Sequence, residues 1–513
     1  MTANAQNIVD FPNVDSELNE IAGEIAASKK ALIKSGGGNR NGAIGTTTAE
    51  VLPPADGVRY DDLGNAERFL EIVGDDLLYC TDSKKWLYWN AKFWEHDNEN
   101  FVFEMITNFA KDLYSPVNLV SKEAIAHAIR SNNRSGLNAM LEISQRKRSA
   151  SIDTFDNVPY SINCTNGTLD LQTGALRPHD RADRITRIVN CDYDADSRPD
   201  LFAKFIERIQ PDPSIRAFLQ RSIGYSLLGN VRERSFWILY GTGNNGKSIF
   251  TNLFINLLGE YASTTTSNSI MAGKQSAIPN DIARLKGKRF VVVPETGENE
   301  RMNEALVKAL SAGDKVSARF LFGEFFDFYF SGKLWIATNH RPTITDHSKG
   351  FWDRVKLIPF SQDIPADEVV KSDDLMRGLM AEAPAILNWA VQGCRDYFDL
   401  DGLDTPQIIQ DEIAAYKREQ DSIAQFIEER CETLEQAEAG QAAGLAGFAY
   451  SPADYRVKNG DLYEAYKTFC KDAGEYLRSQ RRLSQNLKER GFKQIMSGGR
   501  YWEGIKLLRT TDD

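Results

Sequence analysis

Eight consecutive residues, Gly241-Thr242-Gly243-Asn244-Asn245-Gly246-Lys247-Ser248, constrain this chain more than any other feature. An apolar run from Ser235 to Tyr240 precedes them. Ile249, Phe250, Leu253, Phe254, Leu257 and Leu258 follow at helical spacing, ending at Gly259. The pattern predicts a buried strand, a tight loop and a helix. Glycines let the backbone fold around an anion and aim its N–H groups inward, and the helix N-terminus adds a favourable dipole. A lysine and a serine at the last two positions match phosphate and metal chemistry: Lys247 to reach the β and γ phosphates, Ser248 to ligate magnesium. All eight residues are therefore candidate ligands of ATP, with Mg2+ as its companion.

Such a loop also serves small kinases and GTPases, so later segments must discriminate. Phe290-Val291-Val292-Val293-Pro294-Glu295 is a second apolar strand, starting 43 residues beyond Lys247 and ending in an acid. An acid there can hold magnesium or polarise the attacking water, which makes Glu295 a candidate for both. Leu334 to Asn339 is a third apolar strand, ending in an amide suited to the γ-phosphate or the water. Phe351-Trp352-Asp353-Arg354 then precedes a fourth apolar run, Val355 to Phe360. Arg354 has two readings, a surface ion pair with an acid such as Asp353 or a cation offered to another subunit. A GTPase or small kinase does not need this ordered series. An oligomeric ATPase does, because one subunit supplies lysine, serine, acid and amide while its neighbour supplies an arginine.

Bulk properties set the frame. At roughly 150 residues per domain, 513 residues suggest about three domains. The expected division is a poorly ordered tail over 1–55, a mixed α/β region over 56–200, the chemistry over 201–400, and a linker plus small basic unit over 401–513. Within the tail, Leu18 to Ile33 is amphipathic. The net charge of −11 excludes a generally basic surface, so nucleic acid must be met by local patches. Six scattered cysteines and five histidines give no CxxC pair, zinc site or disulfide framework, and suit reduced thiols in a cytoplasm. Asp192, Asp194 and Asp196 start like a calcium loop but lack its glycine and closing glutamate. No signal pattern or membrane-length apolar run occurs, so no membrane partner is expected.

Three segments are candidates for nucleic acid. Ser121 to Ser149 reads as helical and carries Arg130, Arg134, Arg146, Lys147 and Arg148, either a phosphate contact or a solvated face. Lys315 to Phe330 reads as a β-hairpin. Phe320, Phe326 and Phe328 read better as core. Near the C-terminus, helices around Leu462–Asp472 and Leu483–Arg490 precede strands around Phe492–Met496 and Tyr501–Leu508, a winged-helix pattern. From Arg478 to Arg509, nine basic residues stand against two acids, a local excess of seven positive charges. Arg481, Arg482, Lys488 and Arg500 are its candidate DNA contacts; docking against protein is the alternative. Glu432 to Gly447 reads as a linker.

In this order the motifs resemble superfamily 3 helicases, and more closely the helicase portion of phage, plasmid and poxvirus primase-helicases. The segments concerned are Gly-Thr-Gly-Asn-Asn-Gly-Lys-Ser, Val-Val-Val-Pro-Glu, Ala-Thr-Asn-His-Arg-Pro and Gly-Phe-Trp-Asp-Arg-Val-Lys-Leu-Ile-Pro-Phe. Upstream, Asn166 to Leu171 and Ile223 to Leu228 resemble the family's helicase-preceding domain. Downstream the likeness runs through Leu462 to Tyr466 and Gly491-Phe492.

The resemblance implies an α/β fold with an AAA+-like P-loop ATPase core and a C-terminal winged helix. It also implies a homo-oligomeric ring, usually a hexamer, that hydrolyses ATP and moves 3′ to 5′ on single-stranded or forked DNA to replicate a phage or mobile element. It assigns Glu295 as catalytic acid, Asn339 as sensor amide, Arg354 as the arginine finger to a neighbouring site, and Lys308 as a further phosphate reader. It also implies a DNA role for the Lys315–Phe330 hairpin, with Lys315 and Arg319 on phosphate and Phe322 on sugar or base. Two departures matter. Pro294-Glu295 stands where many members have paired acids, so the work falls to Glu295 alone or is shared with Glu298 or Glu300. The first 200 residues offer no priming chemistry, so a helicase served by a separate primase or polymerase is expected. An origin-binding initiator or loader is the competing function.

Overall fold

The computed structural model describes residues 59–115, 118–119, 121–272, 279–297, 300–319, 325–365, 370–442, 451–474 and 476–508. The expected tail, its amphipathic stretch, Glu298, Phe320, Phe322 and Arg509 lie outside these residues.

Helix α1 (Asp62–Val73) starts where Asp61 accepts from the Gly64 N–H. Strands β1 (Leu77–Cys80), β2 (Lys85–Trp89) and β3 (Trp94–His96) then form an antiparallel meander, as the Trp86–Trp94 aromatics suggested. Helices α2 (Phe101–Asp112), α3 (Lys122–Ser131) and α4 (Arg134–Lys147) follow, and β4 (Ser149–Ala150) joins β1 in parallel. Ser121 to Ser149 is thus helical as expected, in two helices with a break at residues 132–133. Asn133 stops the first and caps the second, accepting from the Gly136 N–H at 2.8 Å. Phe69, Leu77, Trp86, Val102, Ile106 and Met140 form the core beneath these elements.

An antiparallel sheet of β5 (Ser161–Cys164), β6 (Gly167–Asp170) and β7 (Leu176–Arg177) leads to helices α5 (Leu201–Ile209) and α6 (Pro213–Ser226). The next elements build the central sheet and its connections. They are β8 (Phe236–Tyr240), α7 (Lys247–Leu258), β9 (Ala262–Thr264), α8 (Pro279–Ala283), β10 (Phe290–Val293), α9 (Glu304–Ala312), the hairpin β11 (Lys315–Arg319) and β12 (Phe325–Tyr329), β13 (Lys333–Thr338), α10 (Lys349–Trp352) and β14 (Val355–Pro359).

The central sheet has the order β14-β8-β13-β10-β9, and every pair is parallel. Parallel strands are covered on both faces and therefore read as unbroken apolar runs. Trp237, Leu239 and Trp335 face one core with Phe250 and Phe254 of α7. Phe236, Ile238, Val291 and Ile336 face the other with Phe351 and Val355. Trp237 and Trp335 stack on neighbouring strands, centroids 4.8 Å apart and planes within 8°. Their indole N–H groups donate to Ser222 and Ser226 of α6, at 3.0 and 3.1 Å, which accounts for two buried serines one turn apart.

Helices α11 (Ser372–Ala381), α12 (Ala383–Asp399) and α13 (Gln407–Glu419) lead to the C-terminal elements. These are α14 (Ser422–Arg430), β15 (Cys431–Thr433), α15 (Leu434–Ala442), β16 (Arg456–Lys458), α16 (Asn459–Ala473), α17 (Gln480–Glu489), β17 (Lys493–Met496), β18 (Arg500–Glu503) and β19 (Ile505–Leu507). Phe426, Leu462, Tyr466, Leu487 and Trp502 form their core.

Two expectations need correction here. The start of the expected linker is ordered, because β15 pairs with β19 and α15 follows directly. The last strand is broken at Gly504, whose φ of 85° turns the chain from β18, paired with β16 and β17, to β19.

Candidate active site and basic surfaces

The four motif segments meet at one end of the central sheet. The chain enters the loop from β8, and β13 separates β8 from β10. Asn339, at the end of β13, therefore stands between Lys247 on the loop side and Glu295 on the β10 side. The connection out of β8 runs to β9 at one edge of the sheet and that out of the neighbouring β13 runs to β14 at the other, and ligands of open parallel sheets bind at such a point, beyond the carboxyl ends of the strands.

The loop is shaped for close backbone approach. A Cβ on Gly241 would lie 2.1 Å from the Phe360 carbonyl oxygen. One on Gly246 would lie 2.5 Å from Ile209 Cγ2, and that residue has φ of 81° as it opens α7. Asn245 is buried and donates to the Phe360 carbonyl at 2.9 Å, pinning the loop to the end of β14. Thr242, Gly243, Asn244 and Ser248 stay exposed.

Lys247 is only 5 % exposed and faces no carboxylate directly. Its ammonium donates to the Gly241 carbonyl at 2.7 Å, to Asn245 Oδ1 at 2.9 Å and to Asn339 Oδ1 at 3.0 Å. Asn339 donates in turn to Glu295 Oε1 at 2.6 Å. Lysine, amide and acid thus form one relay across three strand ends. Burial pulls the Lys247 pKa down, and the Glu295 charge opposes that pull. A desolvated ammonium held only by neutral oxygens gains from an incoming anion. Among the described residues no group of three His, Cys, Asp or Glu side chains suits a metal. The hydroxyl of Ser248 and the carboxylate of Glu295 are hard oxygen donors, which fits a magnesium ion that keeps waters and substrate oxygens as its other ligands.

Thr296 and Thr338 were not singled out from the sequence. Their hydroxyls are 2.7 Å apart in the buried layer under the relay, and Thr338 also donates to the His340 carbonyl at 2.7 Å. The available signal was a hydroxyl at the end of two otherwise apolar runs. Glu300 lies below Gly297, its Oε2 buried without a hydrogen-bond partner among the described residues.

Arg354 and Lys308 belong to a second cluster. Arg354 Nε donates to the Gly350 carbonyl at 3.0 Å, and Nη1 donates to the Lys308 carbonyl at 3.2 Å and Ser311 Oγ at 3.1 Å. Asp353 pairs with Lys349 instead, and among the described residues Arg354 has no ion-pair partner. Lys308 pairs with Asp346 and lies 5.6 Å from the Phe351 ring centroid. Lys308 therefore groups with Arg354, and its contacts include none of Lys247, Asn339 or Glu295.

The basic candidates divide by their partners. On the hairpin, Lys315 pairs with Asp327 at 3.2 Å, whereas Arg319 lies over the Phe325 ring at 5.0 Å and stays exposed. Phe328 is buried as expected, and Phe326 partly so. In the C-terminal unit, Arg490 pairs with Asp421, Lys506 with Glu432, and Arg478 is buried. Arg481, Arg482, Lys488, Lys493 and Arg500 are exposed and make no ion pair among the described residues. On the two helices near the N-terminus, Lys147 and Arg148 pair with Glu67 and Asp75.

Comparison with known proteins follows these segments. Residues 66–211 match the D5 N-terminal-like family and residues 418–503 the poxvirus D5 protein-like family. Residues 239–354, which hold the relay, match a family of unknown function, DUF5906. "Putative helicase 121R" of invertebrate iridescent virus 3 is 30 % identical over 42 % of this chain and 24 % of its own length. "Putative helicase L207/L206" of Acanthamoeba polyphaga mimivirus is 31 % identical over 42 % of this chain and 23 % of its own. The chain thus spans about a quarter of the curated relatives it matches. The A-form apo structure of the NrS-1 C-terminal region (305–718) aligns over 87 % of this chain and all of that one, at 10 % identity and a TM-score of 0.43, too loose to bear on the fold. No helix of the described residues is long and apolar enough to cross a membrane. The chain thus carries a D5 N-terminal-like segment and a poxvirus D5-like segment on the two sides of the relay, and is similar to viral proteins named as putative helicases.

Proposed function

We propose that this chain is an ATP-driven DNA helicase or translocase that replicates a phage or other mobile element. The observation that carries the reading is the Lys247–Asn339–Glu295 relay at the carboxyl end of an all-parallel sheet. It joins a cation for phosphate, a polar sensor and an acid in one hydrogen-bonded line. The relatives named as helicases support the same class.

The core over 201–400 is taken as an AAA+-like P-loop ATPase of superfamily 3. Gly241 to Gly246 wrap the phosphates, and Lys247 exchanges its carbonyl and amide acceptors for phosphate oxygens. Ser248 and Glu295 would hold magnesium, which neutralises charge on the β and γ phosphates when bound. Glu295 orients the attacking water, and Asn339 reports the γ-phosphate to the acid. Arg354 is held by neutral acceptors through Nε and Nη1, and Nη2 has no partner among the described residues, which suits a finger offered to the next subunit of a ring, taken as a hexamer. Lys308 supports that finger.

Residues 56–200 form the helicase-preceding domain. In 401–513, α16, α17 and the β17–β18 hairpin serve as a winged helix on DNA. Arg481, Arg482, Lys488 and Arg500 are its contacts, while Arg319, with Lys315 beside it, meets the strand inside the ring. A primase or polymerase is the chain's proposed partner in replication.

Strand displacement on forked DNA, with 3′ and 5′ tails compared, tests this reading. Wild-type protein is expected to separate strands 3′ to 5′, while Lys247→Ala and Arg354→Ala do not. Hydrolysis on DNA without any displacement would favour the initiator or loader and overturn the helicase.

A further inference from the structure

The loop before Arg354 is gripped from two directions. Thr345 donates its N–H and hydroxyl to Glu304 Oε1 of α9, both at 2.7 Å, and Asp346 pairs with Lys308 of the same helix. From the C-terminal unit, Arg478 donates Nη1 to the Thr345 carbonyl at 3.1 Å and Nη2 to His347 Nε2. Arg354 itself hangs on α9, through the Lys308 carbonyl and Ser311 Oγ. Arg478 and Arg354 are thus tied to one body, α9 with residues 345–348.

Two further facts make this contact more than packing. Arg478 is 7 % exposed, its Nε has no hydrogen-bond partner, and no carboxylate pairs with it among the described residues. A buried guanidinium without an anion is a costly way to stabilise an interface. Arg478 also immediately precedes Ser479, the cap of α17, whose side chain accepts from the Arg482 N–H. The exposed basic face of Arg481, Arg482 and Lys488 begins three residues on. Movement of that helix on DNA reaches residues 345–348 directly through Arg478, while Tyr476, with Arg301 over its ring at 5.1 Å, touches the same body through the Arg301–Glu304 pair.

We infer that Arg478 is a positioning residue, which couples nucleic-acid contact on α17 to the placement of Arg354 and so to hydrolysis in the neighbouring subunit. The inference rests on the shared ATP site proposed above.

The experiment mixes two full chains on forked DNA. One, Arg354→Ala, keeps its site and lacks the finger; the other, Lys247→Ala, keeps the finger and lacks the site. Equal mixing is expected to restore about a quarter of wild-type hydrolysis, because one random head-to-tail interface in four joins an intact site to an intact finger. Arg478→Ala is then added to one partner at a time. In the finger donor it is expected to cut the recovered rate about tenfold, and in the site donor to leave it within about twofold. Arg478→Lys, which keeps the buried charge but reaches only one acceptor, is expected to show the same asymmetry at smaller size. Equal loss in both placements, or loss in neither, overturns the inference and leaves the shared site standing. Failure to recover before Arg478 is changed overturns the shared site and the inference with it.

Discussion

The central sheet buries a lysine at each of its ends, and the two are held differently. Lys333, at the start of β13, donates to the Leu228, Asn230 and Ser331 carbonyls at 2.5, 2.7 and 3.1 Å and lies over the Tyr225 ring at 4.7 Å. Arg289, just before β10, is likewise held by the Leu227 and Val158 carbonyls. Every acceptor there is backbone and fixed, so these cations fasten the preceding chain to the sheet. Lys247, at the other end, takes two of its three acceptors from side-chain amides, and one of those amides leads to an exposed acid. The same chemical group is a rivet where its partners cannot move and a receptor where they can.

Substitution at each end separates these roles most sharply. Lys247→Met is expected to lower hydrolysis about ten-thousandfold without lowering the melting temperature, since it removes a desolvated charge. Lys333→Met strands three buried carbonyls and is expected to cost about 3 kcal/mol of stability, read by chemical denaturation. If Lys247→Met destabilised the fold as much as Lys333→Met, the contrast would be wrong. Arg354→Ala is expected to lower hydrolysis about a thousandfold with nucleotide affinity retained, because it belongs to the other cluster. Glu295→Gln keeps the hydrogen bond to Asn339 and loses the base, so hydrolysis should fall about a hundredfold while nucleotide still binds.

A smaller effect concerns the contact between the C-terminal unit and residues 345–348. Burial, with Arg478 beside it, pulls the His347 pKa down to about 4. The native state then binds fewer protons at this ring than the unfolded state. The stability this gives is whole above the ordinary histidine value and is lost as pH falls from there toward 4. Hydrogen exchange at residues 343–350 should accelerate over that window, and His347→Gln should remove the change. The smallest effect is on the surface. Arg500→Ala should weaken DNA binding and reduce the salt slope by about one unit, whereas Lys147→Ala, whose charge is already paired, should leave the slope unchanged.

The strands and the relay were legible because β8, β10 and β13 are apolar runs that open on a polar residue at the tip, whereas β14 carries Lys356 in mid-strand and runs on to Phe360. That pattern arises when a parallel strand is covered on both faces and opens only at its tip. Those runs therefore gave the α/β class with its parallel sheet and the residues that meet at its end. Pairing across distance was less legible. Lys308 carries nothing in its neighbourhood to say that Asp346 claims it and that it sides with Arg354. The nine positive charges near the C-terminus likewise look alike in sequence, although Asp421, Glu432 and residues 345–348 occupy three of them. Helix breaks were hidden where a polar side chain, as at Asn133, replaces a proline or glycine as the stop signal.

Calorimetric titration of magnesium-ATP into three proteins tests the central contrast most directly. Wild type is expected to bind, Lys247→Met to lose binding, and whatever fraction of Lys333→Met remains folded to bind with unchanged affinity. Equal affinity in wild type and Lys247→Met, or loss confined to Lys333→Met, would contradict that contrast.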